Sequence, residues 1–297
     1  MSYRLKSGEK LADGLQRIFR EEIKCALRET RRSPRNRGKA VHEFRKHLKK
    51  LRAALSLVAD EVGPDRHKFE DRSARQVAKV VAKVRDAYVR LQTVIQIREK
   101  LCDDAFGKVF QPIEALLALE AESFSAAFAG WEEQVVPNLK AMEKRVTHWP
   151  LQDLAWKQIC SAVANSYRRG RNRFSDALKK PDPGNFHSWR KEVKDLWYQL
   201  LLLAPLNRTV LEEIARDAKT LADLLGQQHD FIFLLSRLDK ERRDKSLRSE
   251  RTKLEKLIRK RNKKLQRDAT ELGRRFYAEP PKAFAKRISI FIHDWNP

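Results

Sequence analysis

The chain is poor in the residues that punctuate or cross-link a backbone. Ten glycines and eleven prolines among 297 residues leave few turn positions, a shortage that favours long helices over many short strands. The three cysteines, Cys25, Cys102 and Cys160, lie far apart with no Cys-x-x-Cys spacing. That excludes a zinc ribbon and a disulfide framework and leaves buried reduced thiols. No Gly-rich phosphate loop, no His-Glu-x-x-His pair and no cluster of acidic metal ligands occurs, so neither a metal nor a cofactor is expected. Apolar runs stay well short of the roughly 18 residues that a membrane helix needs. The opening Met1-Ser2-Tyr3-Arg4-Leu5-Lys6 has no apolar core segment, so no signal peptide is read and the expected location is the cytoplasm. Acidic residues are also short: 40 against 64 Lys and Arg, a net charge of +24. Self-repulsion of that size is usually met by a polyanionic partner. Nucleic acid, anionic lipid and inorganic polyphosphate all qualify.

What is present is helical periodicity. A 41% hydrophobic content is enough to bury a core. Leu11, Leu15, Ile18, Phe19, Ile23 and Leu27 recur at helical spacing and predict a helix over 8–32. Ser33-Pro34-Arg35-Asn36-Arg37-Gly38 breaks it. Further helices are expected over 39–62, 65–103, 112–129 and 132–146, then over 151–180 and 185–203. Pro181-Asp182-Pro183-Gly184 and Ala204-Pro205 are the breakers of the second half. A long helical stretch follows through Gln227-Gln228-His229-Asp230. From Lys240 to Arg267 the chain holds 14 Lys or Arg against 4 Asp or Glu, which reads as a long exposed helix with a thin apolar stripe. A last helix over 282–293 turns Phe284, Ile288, Phe291 and Ile292 inward.

One basic motif occurs twice. His42, Arg45, Lys46 and Lys49 are answered by His187, Arg190, Lys191 and Lys194 at the same spacings. Downstream, Arg85-Asp86 is echoed by His229-Asp230. Two landmarks at nearly one offset imply an internal duplication of about half the chain, with halves at 1–146 and 147–297. Within the first copy His42, Arg45, Lys49 and Arg52 share one helix face beside the apolar stripe Val41, Phe44, Leu48, Leu51, Leu55 and Val58. A solvated face has no reason to preserve His, Arg and Lys at fixed spacings in both halves, so the stripes read as an anion site. Trp149, Trp156, Trp189, Trp197 and Tyr198 fall in apolar stripes and read as core. Helices this long, joined by short breaks, make an all-α bundle architecture.

These residues resemble the conserved histidine α-helical domain, the CHAD family. The resemblance runs through Tyr3-Arg4-Leu5 and Leu11 to Leu15, the two His-xx-Arg-xxx-Lys motifs, Arg85-Asp86, Tyr167-Arg168-Arg169-Gly170-Arg171 and Leu224-Leu225-Gly226-Gln227-Gln228-His229-Asp230. It implies two pseudo-symmetric four-helix bundles with a basic central channel that binds inorganic polyphosphate, no catalysis, and association with polyphosphate granules. An N-terminal Glu-x-Glu-x-Lys strand, found in triphosphate enzymes that adjoin the family, is absent. Trp197 and Asp195 stand where the family often has cations, so the first copy is expected to carry more of the site; Tyr88 and Ile232, where it usually has acids, are expected to affect local packing more than binding. The expected polyphosphate ligands are His42, Arg45, Lys46, Lys49, Arg52, His187, Arg190, Lys191, Lys194 and His229. Arg17, Arg20, Arg85, Arg168 and Arg171 form a second rank, and Asp86 and Asp230 are orienters. Arg forks and Lys point charges suit a ligand with many phosphate oxygens and no base edges. The alternative is a sequence-nonspecific nucleic-acid-binding helical protein, whose contacts gain little from His.

Overall fold

Apolar residues three and four apart, with few breakers, produce twelve α-helices and no strand among the described residues. A computed structural model describes residues 3–32, 37–101, 109–128, 130–240, 247–293 and 295. Cys102, the breaker residues Ser33-Pro34-Arg35-Asn36 and the segment 241–246 lie outside them. The helices are α1 (Leu11–Glu29), α2 (Arg37–Leu55), α3 (Ala59–Val62), α4 (Pro64–Val80), α5 (Ala82–Leu101) and α6 (Gln111–Ala126). They continue as α7 (Trp131–Val146), α8 (Trp156–Lys179), α9 (Pro183–Leu203), α10 (Arg208–Lys240), α11 (Arg248–Phe276) and α12 (Pro281–His293). Breakers act where the chemistry demands. Gly63 adopts φ +83° before Pro64 opens α4, and the Asp182 carboxylate accepts from the Asn185 backbone N–H at 2.8 Å, capping α9 behind Pro183.

Two helices expected as single are divided. The motif helix ends at Leu55, and a one-turn α3 follows after Ser56-Leu57-Val58. There the buried Gln199 of α9 donates to Ser56 Oγ at 2.7 Å, fixing the end of α2 to the second half of the chain. The helix expected over 65–103 breaks at Val81. The Ala78 carbonyl, in the last turn of α4, accepts from the Arg45 guanidinium of α2. This satisfies one of the orphan carbonyls that a helix end exposes. The break re-phases the apolar stripe, so α5 buries Val84, Ala87, Val94 and Ile97 while Tyr88, Leu91 and Ile95 are only half-buried.

α1, α2, α4 and α7 pack around one another as a four-helix ring. The buried Glu70 of α4 accepts from Arg145 of α7 at 2.7 and 2.9 Å. α8, α9, α10 and α11 form a second ring, with α12 laid on α8. α2 packs directly on α9. The first residues of the chain reinforce that seam: Leu5 N–H donates to the Leu202 carbonyl at 3.1 Å, and the Tyr3 and Tyr198 rings meet edge to face at 6.4 Å. One hydrophobic core therefore runs from Tyr3 to Ile288 through both halves. A second apolar cluster joins Val94 and Ile97 of α5, Ile113 and Leu117 of α6, Leu234 and Leu238 of α10, and Leu254, Ile258 and Leu265 of α11. The charge-rich stretch is thus not exposed all round. Leu254, Ile258 and Leu265 are buried in this cluster, Leu247 and Leu257 are half-buried, and Arg251 is buried too, while Lys253, Lys256, Lys260, Lys263 and Arg267 are exposed.

α11 reaches this position through a close approach at Gly273. A Cβ there would meet the Trp189 ring at 2.7 Å and the Phe174 ring at 2.8 Å. Gly→Ala in a helix ordinarily gains up to about 1 kcal/mol, but overpacking a rigid aromatic pair costs typically 1–3 kcal/mol. Gly273→Ala should therefore lower the melting temperature without loss of helical circular dichroism at 20 °C. An unchanged or raised melting temperature would show that the rings yield.

Candidate functional site

The α2–α9 seam opens on one side into a cleft of about 370 Å³. α2 contributes His42, Arg45, Lys46 and Lys49; α5 contributes Arg85 and Val89; α9 contributes Arg190, Lys194, Trp197 and Tyr198. α10 closes it with Ala222, Asp223, Gly226, Gln227 and Asp230. Six cationic side chains thus face two carboxylates. Both motif copies contribute because the apolar stripe of each helix is committed to the core. Val41, Phe44 and Leu48 of α2 and Trp189, Val193 and Leu196 of α9 are all buried, so the polar stripes beside them converge on the seam. The break at Val81 tilts α5 away from the α4 ring and onto α10, which brings Arg85 into the wall.

The cations are only partly compensated, Lys46 by Glu43 at 3.0 Å. Among the described residues, Lys49 and Lys194 make no hydrogen bond or ion pair, and Arg190, only 9% exposed, has an unpartnered Nε. Desolvation, then repulsion from Lys194, Arg190, Arg85 and Arg45, pushes the Lys49 ammonium well below the ordinary lysine range. Lys194 falls to about 8 from desolvation first and Arg190 second, with Asp223 and Asp230 pulling weakly the other way. Desolvation likewise lowers Arg45, ahead of repulsion by Arg85, and Arg190. Arg85 is oriented as well: it donates to Asp86 at 3.1 Å and lies 3.9 Å from Asp230. A protein that gathers like charges into a low-dielectric wall accepts a standing electrostatic cost, and such perturbed clusters mark sites built for a counter-charge.

The histidines divide. His42 lines the cleft. His187 and His229 meet Nδ1 to Nδ1 at 3.3 Å beside it, so the partner of His229 is a second imidazole and not the adjoining carboxylate. All three rings titrate below the ordinary histidine range. Desolvation leads in each case, followed for His187 by Arg190 and for His229 by Arg190 and His187. His229 drops to about 3. In a pair of rings this close, protonation of one disfavours protonation of the other.

Other expected residues lie elsewhere. Arg52 ion-pairs with Asp71 at 2.6 Å and borders a neighbouring hollow of about 290 Å³ that shares Arg45 and Lys49 with the cleft. Lys191 is exposed beside His187 and outside the cleft lining. Arg17 is locked on α1 by Glu9 at 2.6 Å and by the Arg4 carbonyl. Arg20 and Arg168 are exposed on α1 and α8, and Arg171 donates to the Tyr277 carbonyl at 3.2 Å. None of these four lines the cleft. Asp195 does not line it either. Burial raises its carboxyl to about 6, partly offset by Arg52. Trp197, expected in the core, is a half-buried cleft wall stacked on Tyr198 at 4.6 Å. Asp223, Gly226 and Gln227 were not anticipated. Their spacing with Asp230 (i, i+3, i+4, i+7) is the signal that could have placed them on one face of α10.

Fold and cleft together define an all-α protein organised around a cation-walled seam. The chain belongs to the CHAD family: the family model for the CHAD domain matches residues 17–239. The crystal structure of the CHAD domain from the plant Ricinus communis is similar in fold, with a TM-score of 0.69 over 94% of this chain and 96% of that one. At 14% identity the likeness speaks to the fold alone. No curated protein matches the chain by sequence. No helix among the described residues is long and apolar enough to cross a membrane, and none of their His, Cys, Asp and Glu side chains form a group of three suited to a metal ion.

The lowered Lys194 has a consequence for stability. Its folded pKa of about 8 lies below its unfolded value of 10.5. Between those values the unfolded chain binds the extra proton, so stability contributed by this residue rises with pH across the window, and the cost is constant below it. Lys194→Met keeps the aliphatic stem and removes the charge. It should stabilise the unliganded protein at pH 7 by on the order of 3 kcal/mol, since each pKa unit corresponds to about 1.4 kcal/mol. The gain should vanish above about pH 10. Urea titrations at pH 7 and pH 10 measure both, and an equally large gain at the two values would remove the charge from the explanation.

Proposed function

We propose that this protein is a non-catalytic binding module for inorganic polyphosphate, which lies in the cleft between α2 and α9. The observation that carries the reading is the excess of cations in the wall: six Lys and Arg against two carboxylates around about 370 Å³, with no hydrogen bond or ion pair to Lys49 or Lys194 among the described residues and an unpartnered Nε on Arg190. Polyphosphate supplies about one negative charge per unit on a thin flexible chain. It can thread a cleft too small for a nucleic-acid duplex, whose major groove alone is about 12 Å wide. Arg45, Arg85 and Arg190 offer guanidinium forks, Lys46, Lys49 and Lys194 point charges, and neutral His42 a single ring donor. Trp197 and Tyr198 wall off solvent and strengthen each contact. Catalysis asks for a group that activates water or a nucleophile. The cleft's acids, Asp223 and Asp230, stand among cations, and Asp230 faces Arg85, which suits orientation better than base chemistry.

Long-chain polyphosphate should outcompete duplex DNA for the cleft at matched phosphate concentration and physiological salt. Lys49→Gln with Lys194→Gln should weaken polyphosphate binding at least tenfold, as each charge-assisted contact contributes about 1.5–3 kcal/mol. The salt dependence should flatten in the same variant, by analogy with counterion release from nucleic acids. Lys256→Gln with Lys260→Gln, on α11, should change polyphosphate affinity less than twofold. Equal losses in the two variants would reduce binding to diffuse charge and sink the cleft.

Two lysines of the wall, Lys49 and Lys194, have lowered pKa values, while the histidines fall below their ordinary range. With a free-protein value of about 8, Lys194 is mostly charged at pH 7 and mostly neutral at pH 9. Polyphosphate affinity should therefore fall between pH 7 and pH 9, with proton uptake on binding near pH 8. Lys194→Arg should retain affinity at pH 7 and reduce that slope, leaving the share that Lys49 carries. Calorimetry in two buffers of different ionisation enthalpy reads the protons directly, and a slope untouched by the substitution would move the titration to another group.

A further inference from the structure

A second strongly charged surface lies on α11, away from the cleft. Lys253, Lys256, Lys260, Lys263, Arg267 and Arg274 follow one another at spacings of three, four or seven residues and so share one face. All six are exposed. Among the described residues, Arg267 meets Asp268 at 3.6 Å, and the other five make neither an ion pair nor a hydrogen bond. None lines the cleft, and all lie beyond residues 17–239 that the family model matches. The opposite face, Leu254, Ile258, Leu265 and Ala269, is buried. The row is therefore held straight by the core and needs no ordering when it meets a partner. At 1.5 Å per residue it is about 32 Å long. Like-charged neighbours three and four apart destabilise a helix, and four successive pairs from Lys253 to Arg267 repeat that cost with no acid between them on the face; Glu271 enters the face only before Arg274.

The chemistry of the row selects among polyanions. An anionic membrane is met by a helix that also offers apolar side chains to the acyl boundary. None of the exposed large hydrophobic residues, Phe69, Leu119, Leu178 and Ile290, is on α11. Single-stranded nucleic acid is bound by aromatic platforms that stack bases, and the helix holds no aromatic residue from Arg248 to Arg275. A duplex needs only cations along its phosphates, and one turn of duplex is about 34 Å long, close to the length of the row. We propose that the outer face of α11 is a sequence-independent docking surface for the phosphate backbone of duplex nucleic acid, separate from the cleft. It does not depend on what the cleft binds. With the cleft occupied as proposed above, the protein would hold two polyanions at once.

The test uses the full chain, a fluorescent 20-base-pair DNA duplex and long-chain polyphosphate. Combining Lys253→Gln, Lys256→Gln, Lys260→Gln and Lys263→Gln keeps good helix formers at exposed positions. This variant should lose at least tenfold in duplex affinity at about 0.1 M salt. Its log–log salt slope should flatten by about 3 to 4, near 0.9 per phosphate contact removed, while polyphosphate affinity stays within twofold. The Lys49→Gln, Lys194→Gln variant should keep its duplex affinity within twofold. The proposal is overturned if the α11 variant still binds the duplex as wild type does, or if the cleft variant loses duplex binding equally. It is also overturned if vesicles of phosphatidylglycerol and phosphatidylcholine bind through α11 where the duplex does not. Loss of polyphosphate binding by the cleft variant with no effect of α11 on the duplex would leave the cleft reading standing and this one refuted.

Discussion

Everything at the centre of this protein depends on holding like charges together in a wall from which water is partly excluded. Lys49 of α2 and Lys194 of α9 repel each other, and Arg190, Arg85 and Arg45 add to the repulsion. Left to themselves these groups would drive the two helices apart. They are kept in place by packing behind them: fully buried Phe44 and Leu48 on one side, Trp189, Val193 and Leu196 on the other. Burial of a large apolar side chain contributes about 1.5–3 kcal/mol, so a handful of such residues outweighs the repulsion. Gln199 and the N-terminal Tyr3-Arg4-Leu5 segment add polar stitches across the same seam.

The same demand accounts for the irregularities of the fold. A straight helix from Pro64 to Leu101 would stay with the α1, α2, α7 ring along its length. The break at Val81 sends α5 to α10, and Arg45 satisfies the Ala78 carbonyl near the break. One residue thereby supports the turn and faces the cleft. With α5 and α6 leaning on α10 and α11, the second apolar cluster mixes residues from before and after position 146. The halves of the sequence are therefore not separate cores. α10, which carries Asp223, Gly226, Gln227 and Asp230, is braced along its length by elements of both.

Two cationic surfaces of unlike character result. In the cleft the charges are few, close and partly desolvated, so their pKa values fall and a thin anion that neutralises several at once is favoured. On α11 they are spread along a solvated face where water screens them, and only a long, regular array of phosphates engages many together. Net charge alone does not separate these cases. The surroundings of each ammonium and guanidinium do.

The sequence by itself determined the helices, the inward stripes and the duplicated basic faces, because these follow from local periodicity and from residue types that a helix displays at fixed angles. It placed Arg45, Lys49, Arg190 and Lys194 on faces that could meet. Tertiary structure decided which faces did meet. Arg85 moved from the second rank into the wall because a break at Val81, set by a long-range bond from Arg45, has no local signature among β-branched residues. Arg52 was drawn aside by Asp71 and Arg17 by Glu9, both ion pairs made between side chains that the motif spacing does not relate. Trp197 changed from expected core to cleft wall, and His229 found His187 in place of its neighbouring carboxylate, because the approach of α10 to α9 fixes what each ring touches. Helix periodicity is a one-dimensional property that a chain carries with it. Desolvation, pairing and repulsion are properties of distance, and distance between residues far apart in sequence exists only once the helices have packed.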